Sequence, residues 1–381
     1  FLRPIAVLLG AKGELLDYAV RYGRILMVSL PTFALQNMFQ SFFVTAEKPH
    51  LGFAFTVAAG VTNMVLDVVL VGRGEDILRC LEQCGEKTLP QGVEIRNATE
   101  VITMSDDPAF AFKQKKDSSL TVGLRLLRDG EGDAFVSAGS TGALLTGATL
   151  TVKRIRGVRR AALGTMVPQK TGSRALLLDC GANAECTPEY LLQFALMGSL
   201  YQKTQCGIDR PRVVLMNNGT EEGKGDPLRQ ETYALLKQAD ARGELHFAGN
   251  IEGREIFSGA ADVLVCDGFT GNILLKTVEG TAGFLLGQVK DILMATGLTK
   301  LAALILKPGL RRLKSQLDYR AVGGAPLLGI SRPVIKAHGS SDAQAFCSAF
   351  EQTILFSHSG FIAQVADSVA ALSRGEEKAE K

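Results

Sequence analysis

The sequence lacks a large excess of either charge, lacks any C-x-x-C cysteine pair, and lacks the short signatures of the commoner nucleotide-dependent and hydrolytic enzymes. Lys and Arg number 42 against 39 Asp and Glu, for a net charge of +3. So mild a balance gives no reason to expect nucleic acid as a partner and leaves any charged ligand to a local patch. The 7 cysteines (Cys80, Cys84, Cys180, Cys186, Cys206, Cys266 and Cys347) are odd in number and scattered. They read as reduced thiols of a cytosolic protein, with no zinc or other metal site expected. Cys186 with His246 or His338 is the nucleophile–base pairing that composition offers, against the commoner isolated buried thiol. The chain has no GxxxxGK[ST] loop, no GxSxG elbow, no HExxH and no GxGxxG opening a nucleotide-binding unit, so ATP hydrolysis and serine-hydrolase chemistry lose support. The opening residues also lack the apolar core and small-residue cleavage site of a secretory signal. A start at Phe1 reads as a cut or fused beginning, and no internal repeat or long low-complexity tract follows.

What is present divides into segments of different character. Over 25–72 the only formal charges are Glu47, Lys48 and Asp67. Stretches 25–46 and 51–72 each have roughly the 20 residues a bilayer-spanning helix needs. They read as a membrane hairpin around Glu47-Lys48-Pro49-His50, with Gln36, Asn37, Gln40, Asn63 and Asp67 as interior polar groups. A pair of buried soluble helices is the alternative. The expected organisation is an apolar helical segment over 1–72, an α/β domain over 73–372 and a charged tail over 373–381. On Gly10-Ala11, Tyr18-Ala19, Tyr22, Leu30-Pro31 and 63–67, the opening resembles a fragment of a multidrug and toxin extrusion transporter. Two helices are too few for such a transporter, so the segment reads as an appended piece.

Beyond Arg73 the pattern becomes apolar runs of strand length, each ending in Gly and small polar residues and mostly followed by a helical stretch. Strands are predicted at 133–138, 161–167, 175–180, 212–217, 245–248, 261–266 and 334–337. Helices are predicted at 141–153, 188–203, 227–238, 272–294 and 343–372. This alternation predicts a largely parallel sheet with helices on both faces. Ligands in such sheets collect outside the carboxyl ends of strands. The loops there share a style, at 137–142, 179–183, 217–225, 249–254, 267–272 and 337–342, and are expected to converge on one crevice. Gly lets backbone approach a ligand, and helix N-termini favour anions, so phosphate is the natural guest. Ser140 and Thr141 precede one helix, Ser340 and Ser341 another. Each pair reads either as phosphate donors or as ordinary N-caps.

Read in order, these loops resemble the phosphate acyltransferase family. The resemblance rests on Val101 to Met104, Lys115-Lys116-Asp117-Ser118-Ser119, 138–144, 178–183, Pro188-Glu189, 193–198, 221–225, Gly249-Asn250, 267–272, 323–329 and 335–342, about 300 residues in all. It implies an isocitrate-dehydrogenase-like two-lobed α/β fold, a homodimer, acyl carrier protein and inorganic phosphate as reaction partners, no cofactor, and acyl phosphate passed to a downstream glycerol-phosphate acyltransferase. Two departures stand out. Ser140 occupies a position where the family usually has Asn, and the family's opening strand and Asp-Ala-Met-Gly-Gly-Asp loop are missing, with the junction near 69–72, where the resemblance implies that the family's second strand would end.

Acyl transfer to phosphate needs a held phosphate, a polarised carbonyl and a protonated or stabilised thiolate, without a covalent enzyme intermediate. Cationic candidates are Lys115, Lys116, Lys170, Lys224, Arg254 and Lys336. Asn250 reads as an oxyanion donor, and His338 either as proton donor to sulfur or as a structural turn residue. Gly142, Asn183, Glu222, Asp267, Asn272 and Asp342 complete the expected substrate loops. An apolar stretch over 286–313, including Leu304 and Ile305 and followed by Arg311, Arg312 and Lys314, reads as a carrier or peripheral membrane contact or as dimer core. The expected location is cytoplasmic, with possible membrane association. Rivals are a phosphate acetyl- or butyryltransferase using coenzyme A, an isocitrate-type oxidoreductase, and an inactive membrane-tethered fusion.

Overall fold

Val68–Gly72, the end of the second apolar run, is a five-residue strand, β1, and not the tail of a helix. Three valines and a leucine favour the extended backbone, and all five residues pair in parallel with β2 (Val93–Asn97). The connection is a helix, α1 (Gly74–Gln83), whose Gly74 N–H donates to Asn97 Oδ1 at 2.9 Å. This computed structural model describes residues 67–86, 88–317 and 323–379. The first predicted membrane helix and all of the second before residue 67 lie outside those residues, and among the described residues no helix is long and apolar enough to cross a membrane. The chain divides into two compact units, Phe1–Asn97 and Ala98–Lys381.

The second unit runs α2 (Pro108–Gln114), α3 (Ser119–Asp129), β3 (Phe135–Ser137), α4 (Thr141–Gly147), β4 (Ala162–Pro168), β5 (Arg174–Leu178), α5 (Pro188–Cys206), β6 (Arg212–Asn217), α6 (Pro227–Ala241), β7 (His246–Glu252), β8 (Val263–Val265), α7 (Gly268–Met294), α8 (Gly297–Leu317), β9 (Ala325–Leu328), β10 (Val334–Lys336), α9 (Ala343–His358) and α10 (Phe361–Ala379). Its 8-stranded sheet has the order β3-β10-β9-β4-β5-β8-β6-β7. β3 and β10 are parallel, as are β5, β8, β6 and β7; the junctions β10/β9, β9/β4 and β4/β5 are antiparallel.

Both sheet faces are covered. Leu176 and Leu178 enter one core with Phe194, Met197 and Val263, while Ala175 and Leu177 enter the other with Leu264 and Met216; this is the strand's period of two in a doubly covered sheet. α5 has 10 of its 19 residues buried, Gln193 and Gln202 among them. Gly198 lets it lie on β8, since a Cβ there would stand 2.5 Å from Val263 Cγ1. The single helix predicted over 343–372 is two, because Gly360 turns the chain at φ 68° and the Ser359 hydroxyl accepts the Phe361 N–H at 3.2 Å.

Candidate functional site

Strand direction decides where the glycine-rich loops go. The three antiparallel junctions place the carboxyl ends of β3, β4 and β10 on one edge of the sheet, and those of β5, β6, β7 and β8 on the opposite edge. The expected single crevice is therefore two sites.

At the β10 edge, Lys336 lies beside Ser137, and Ala337 N–H donates to the Ser137 carbonyl at 2.9 Å, bringing the loops 137–142 and 337–342 together. Ser140 caps α4, its Oγ accepting Ala143 N–H at 3.4 Å, and Thr141 is that helix's first residue. Asp342 caps α9 by accepting Ala345 N–H at 2.9 Å. His338 Nδ1 lies 2.7 Å from Ser340 Oγ and accepts Ser340 N–H at 3.1 Å, while Ser341 N–H donates to the His338 carbonyl at 3.0 Å. His338 thus bonds its own turn through Nδ1. Gly142 is needed for packing: a Cβ there would stand 2.9 Å from Pro108 Cγ.

Lys336 is the unusual member. It is only 8% exposed, donates to the Ala337 carbonyl, and pairs with no carboxylate among the described residues. Burial lowers its pKa, and the nearby charge of Lys276 lowers it further. Lys276 itself pairs with Glu279 at 2.8 Å. Lys170 sits exposed in the β4–β5 turn on this edge, its backbone N–H donating to Phe257. Lys116 is exposed just before α3, whereas Lys115 is tied to Asp106 at 2.6 Å and to the Val101 carbonyl at 2.8 Å.

The β8 edge is bonded internally. Asp179 is fully buried; one oxygen accepts the N–H groups of Leu163, Gly181 and Ala182, the other accepts Asn183 N–H and Nδ2. Burial pushes its pKa up against the pull of these donors. Asn183 Nδ2 also donates to the Ala161 carbonyl at 2.8 Å, so its amide is occupied structurally. Asp267 caps α7 and pairs with Arg229, which also bonds Thr270 at 2.9 Å and the α6 cap Asp226 at 2.9 Å. One guanidinium thus joins the starts of two helices. α7 approaches the 179–183 loop so closely that a Cβ on Gly268 would stand 2.6 Å from the Asn183 carbonyl, and one on Gly271 would overlap the Asp179 carbonyl oxygen. Beside these groups is an open cleft of about 700 Å³ lined by Glu185, Cys186, Asn217, Asp226, Arg229 and Asp267. Burial pushes the Cys186 thiol up to about 12, which removes it as a nucleophile near neutral pH.

Several expected site residues fall here and are reassigned. Asn250, on β7, donates Nδ2 to the Glu221 carbonyl at 2.8 Å and keeps Oδ1 buried without a partner. It and His338 lie on opposite edges and their strands are six positions apart, on the order of 30 Å at about 4.8 Å per strand. Asn250 therefore cannot serve the same acyl carbon as His338 within this unit; it tethers the 217–225 loop instead. Glu222 pairs with Lys237 at 2.9 Å, Lys224 is exposed on the same loop, and Asn272 is exposed in the second turn of α7. Sequence reasoning missed Arg229 and Lys276. Arg229 follows a legible Asp-Pro helix start by two residues, and Lys276 stands one helical turn beyond Asn272 on the same face.

The fold is α/β, a mostly parallel sheet with helices on both faces. It resembles the crystal structure of a phosphotransacetylase from Streptococcus pyogenes, at TM-score 0.51 and 18% identity over 84% of this chain and 91% of that one. Residues 56–364 match the family described as fatty acid synthesis protein, and residues 1–69 match the MatE family. The chain is 46% identical over 313 residues to the phosphate acyltransferase of Desulfitobacterium hafniense (strain DSM 10664 / DCB-2), covering 82% of this chain and 91% of that protein. It is 51% identical over 260 residues to the phosphate acyltransferase of an Exiguobacterium species, covering 68% and 78%. The chain belongs to the phosphate acyltransferase family and is an acyltransferase, with a transporter-like fragment at its start.

Proposed function

We propose that the chain transfers a fatty acyl group from acyl carrier protein to inorganic phosphate, and that phosphate is held at the β10 edge. The observation carrying this is Lys336, a buried amine without a carboxylate partner between two hydroxyl-bearing loops. A buried charge is normally paired, and a phosphate oxygen would complete the pairing. Ser140, Thr141, Ser340 and Ser341 supply hydroxyls or amides, and Lys116 and Lys170 add positive charge. The acidic β8 edge, with Glu185, Asp226 and Asp267 beside one already engaged arginine, disfavours a dianion. In the reaction a phosphate oxygen attacks the thioester carbonyl and forms the C–O bond. The C–S bond breaks, its electron pair leaves on sulfur, and His338 in its protonated form donates the proton, giving acyl phosphate and carrier thiol.

Carrier or membrane contact is assigned to α8, where Leu304 and Ile305 are 65% and 77% exposed and where Arg311, Arg312 and Lys314 follow in sequence. A cytoplasmic homodimer touching the membrane peripherally suits a product destined for a glycerol-phosphate acyltransferase. The domain reading keeps an appended segment over 1–72, the enzyme over 73–372 and a charged tail over 373–381. A coenzyme A thioester is the second reading, favoured by the likeness to a phosphotransacetylase fold.

The test is phosphate-dependent release of free acyl carrier protein from its palmitoyl thioester, run beside palmitoyl-coenzyme A. Release from the carrier is expected to dominate, and Lys336→Met is expected to lower kcat/KM by about 100-fold, the scale of losing one preorganised electrostatic contact. Turnover unaffected by Lys336→Met would remove the β10 edge as the phosphate site.

A further inference from the structure

α7 is an unusual helix for its composition. It has 27 residues and a mostly apolar sequence, yet its only buried residues are Gly268 and Gly271 at its start. Leu274 and Val278 touch the core only partly. Beneath them, against the ends of β4 and β5, is an enclosed cavity of about 40 Å³ lined by Met166, Leu177, Ile256, Leu274, Val278 and Ala282. Apart from Glu279, every lining side chain is apolar, and Glu279 is paired with Lys276. β4 runs in the same direction as β10, so Met166, Val167 and Pro168, which line this cavity at the carboxyl end of β4, lie toward the sheet edge that carries the loops around Lys336.

We propose that the acyl chain of the substrate lies in the groove between α7 and the β4–β5 hairpin, with Met166, Val278 and Ala282 setting the chain length accepted. The proposal rests on the reading of the chain as a fatty acyltransferase. That reaction needs an apolar receptacle within reach of the phosphate, and Lys276 and Glu279 mark the groove's polar end while Ala282 and Met166 mark its apolar end. The closed part is little larger than one water's share of liquid volume, about 30 Å³. It takes the chain terminus, and the remaining methylenes lie along the half-open face of α7, covering apolar surface that the protein leaves unpacked. Each methylene so buried is worth about fourfold in binding, from about 0.8 kcal/mol per group.

The experiment combines kinetics on acyl thioesters of increasing chain length with direct binding of a fluorescent fatty acid to the full chain. Ala282→Phe is expected to lower kcat/KM for long chains by roughly tenfold, the cost of displacing one or two methylenes. It should leave short chains unchanged and weaken the fluorescent probe by a similar factor. Met166→Ala is expected to move the optimum to longer chains, and Val278→Phe replaces Ala282→Phe should the latter melt early. Equal effects on every chain length with unaltered probe binding would overturn the groove. If the wild type turns over no thioester, the enzymatic reading fails separately. Probe binding that is lost in the filled variants would then still support the groove, and probe binding unaffected by filling would sink it.

Discussion

The two edges of the large sheet are built from loops of one style and have opposite characters. At the β8 edge the polar side chains satisfy one another: Asp179 takes the amides of its own loop, and Arg229 takes Asp226, Asp267 and Thr270. At the β10 edge a buried lysine has only a backbone carbonyl, and the serines serve short turns. A run of Gly, Asn and Asp after a strand is therefore not by itself a ligand loop. Where the donors are all consumed, the glycines are there so that a helix and a loop can touch.

The largest effect that would break this contrast is steric. Gly271→Ala puts a methyl group onto the Asp179 carbonyl oxygen, backbone against backbone, and is expected to cost about 3 kcal/mol or more. Gly339→Ala at the other edge meets nothing nearer than the Ala138 carbonyl at 4.0 Å. It should change stability by less than about 0.5 kcal/mol while raising KM for phosphate. Thermal melts beside phosphate titrations would decide; equal loss of stability in both variants would erase the distinction.

Next in size is Arg229→Met. The arginine side chain is 14% exposed and Asp267 7%, so the variant strands a carboxylate in low dielectric and is expected to destabilise by about 3 kcal/mol. Adding Asp267→Asn should recover much of that loss in denaturant melts. If Arg229→Met instead abolished turnover at unchanged stability, the β8 edge would be the substrate site.

Much of this was legible in the sequence, and the part that was not has a definite cause. β6 falls on the predicted 212–217, and the carboxyl-end loops after β3, β5, β6, β8 and β10 were placed correctly. Their division between two edges was missed because the β4–β5 connection was treated like its neighbours. Only the five residues between Pro168 and Arg174 join those strands, whereas a parallel crossover needs about a dozen or more. That turn forces a hairpin and reverses β5, β6, β7 and β8 relative to β4. β9, Ala-Pro-Leu-Leu, is short and carries a proline, so no periodic signal marks it; its place comes from β4 and β10 on either side. β1 was hidden from composition, because an apolar run continuous with the preceding segment looks the same in a helix or a buried strand; the family resemblance, with a strand ending near 69–72, was what marked it.

A smaller effect separates the edges by pH. Burial and Lys276 hold Lys336 below the usual lysine pKa of 10.5. Phosphate binding requires the ammonium form, so KM for phosphate should rise at a pH below the one where an ordinary lysine deprotonates. Lys276→Met removes one repulsive charge and should move that rise to higher pH. A profile identical in wild type and Lys276→Met would show that the two amines do not sense each other.

The smallest expected effect concerns Lys115, a candidate the structure withdraws from the substrate. Its ammonium, with Thr103, holds the Asp106 carboxyl at about 2, below the ordinary value of 3.8. A carboxylate depressed in the folded state contributes stability that is present above pH 3.8 and lost as pH falls through about 2. Asp106→Asn should therefore lower the melting temperature slightly at neutral pH, leave it unchanged near pH 2, and keep KM for phosphate as it was. Lys116→Ala, at an exposed neighbour, should do the reverse and raise that KM at unchanged stability. A phosphate defect in Asp106→Asn as large as in Lys116→Ala would return Lys115 to the β10 site and make its ion pair a substrate-dependent one.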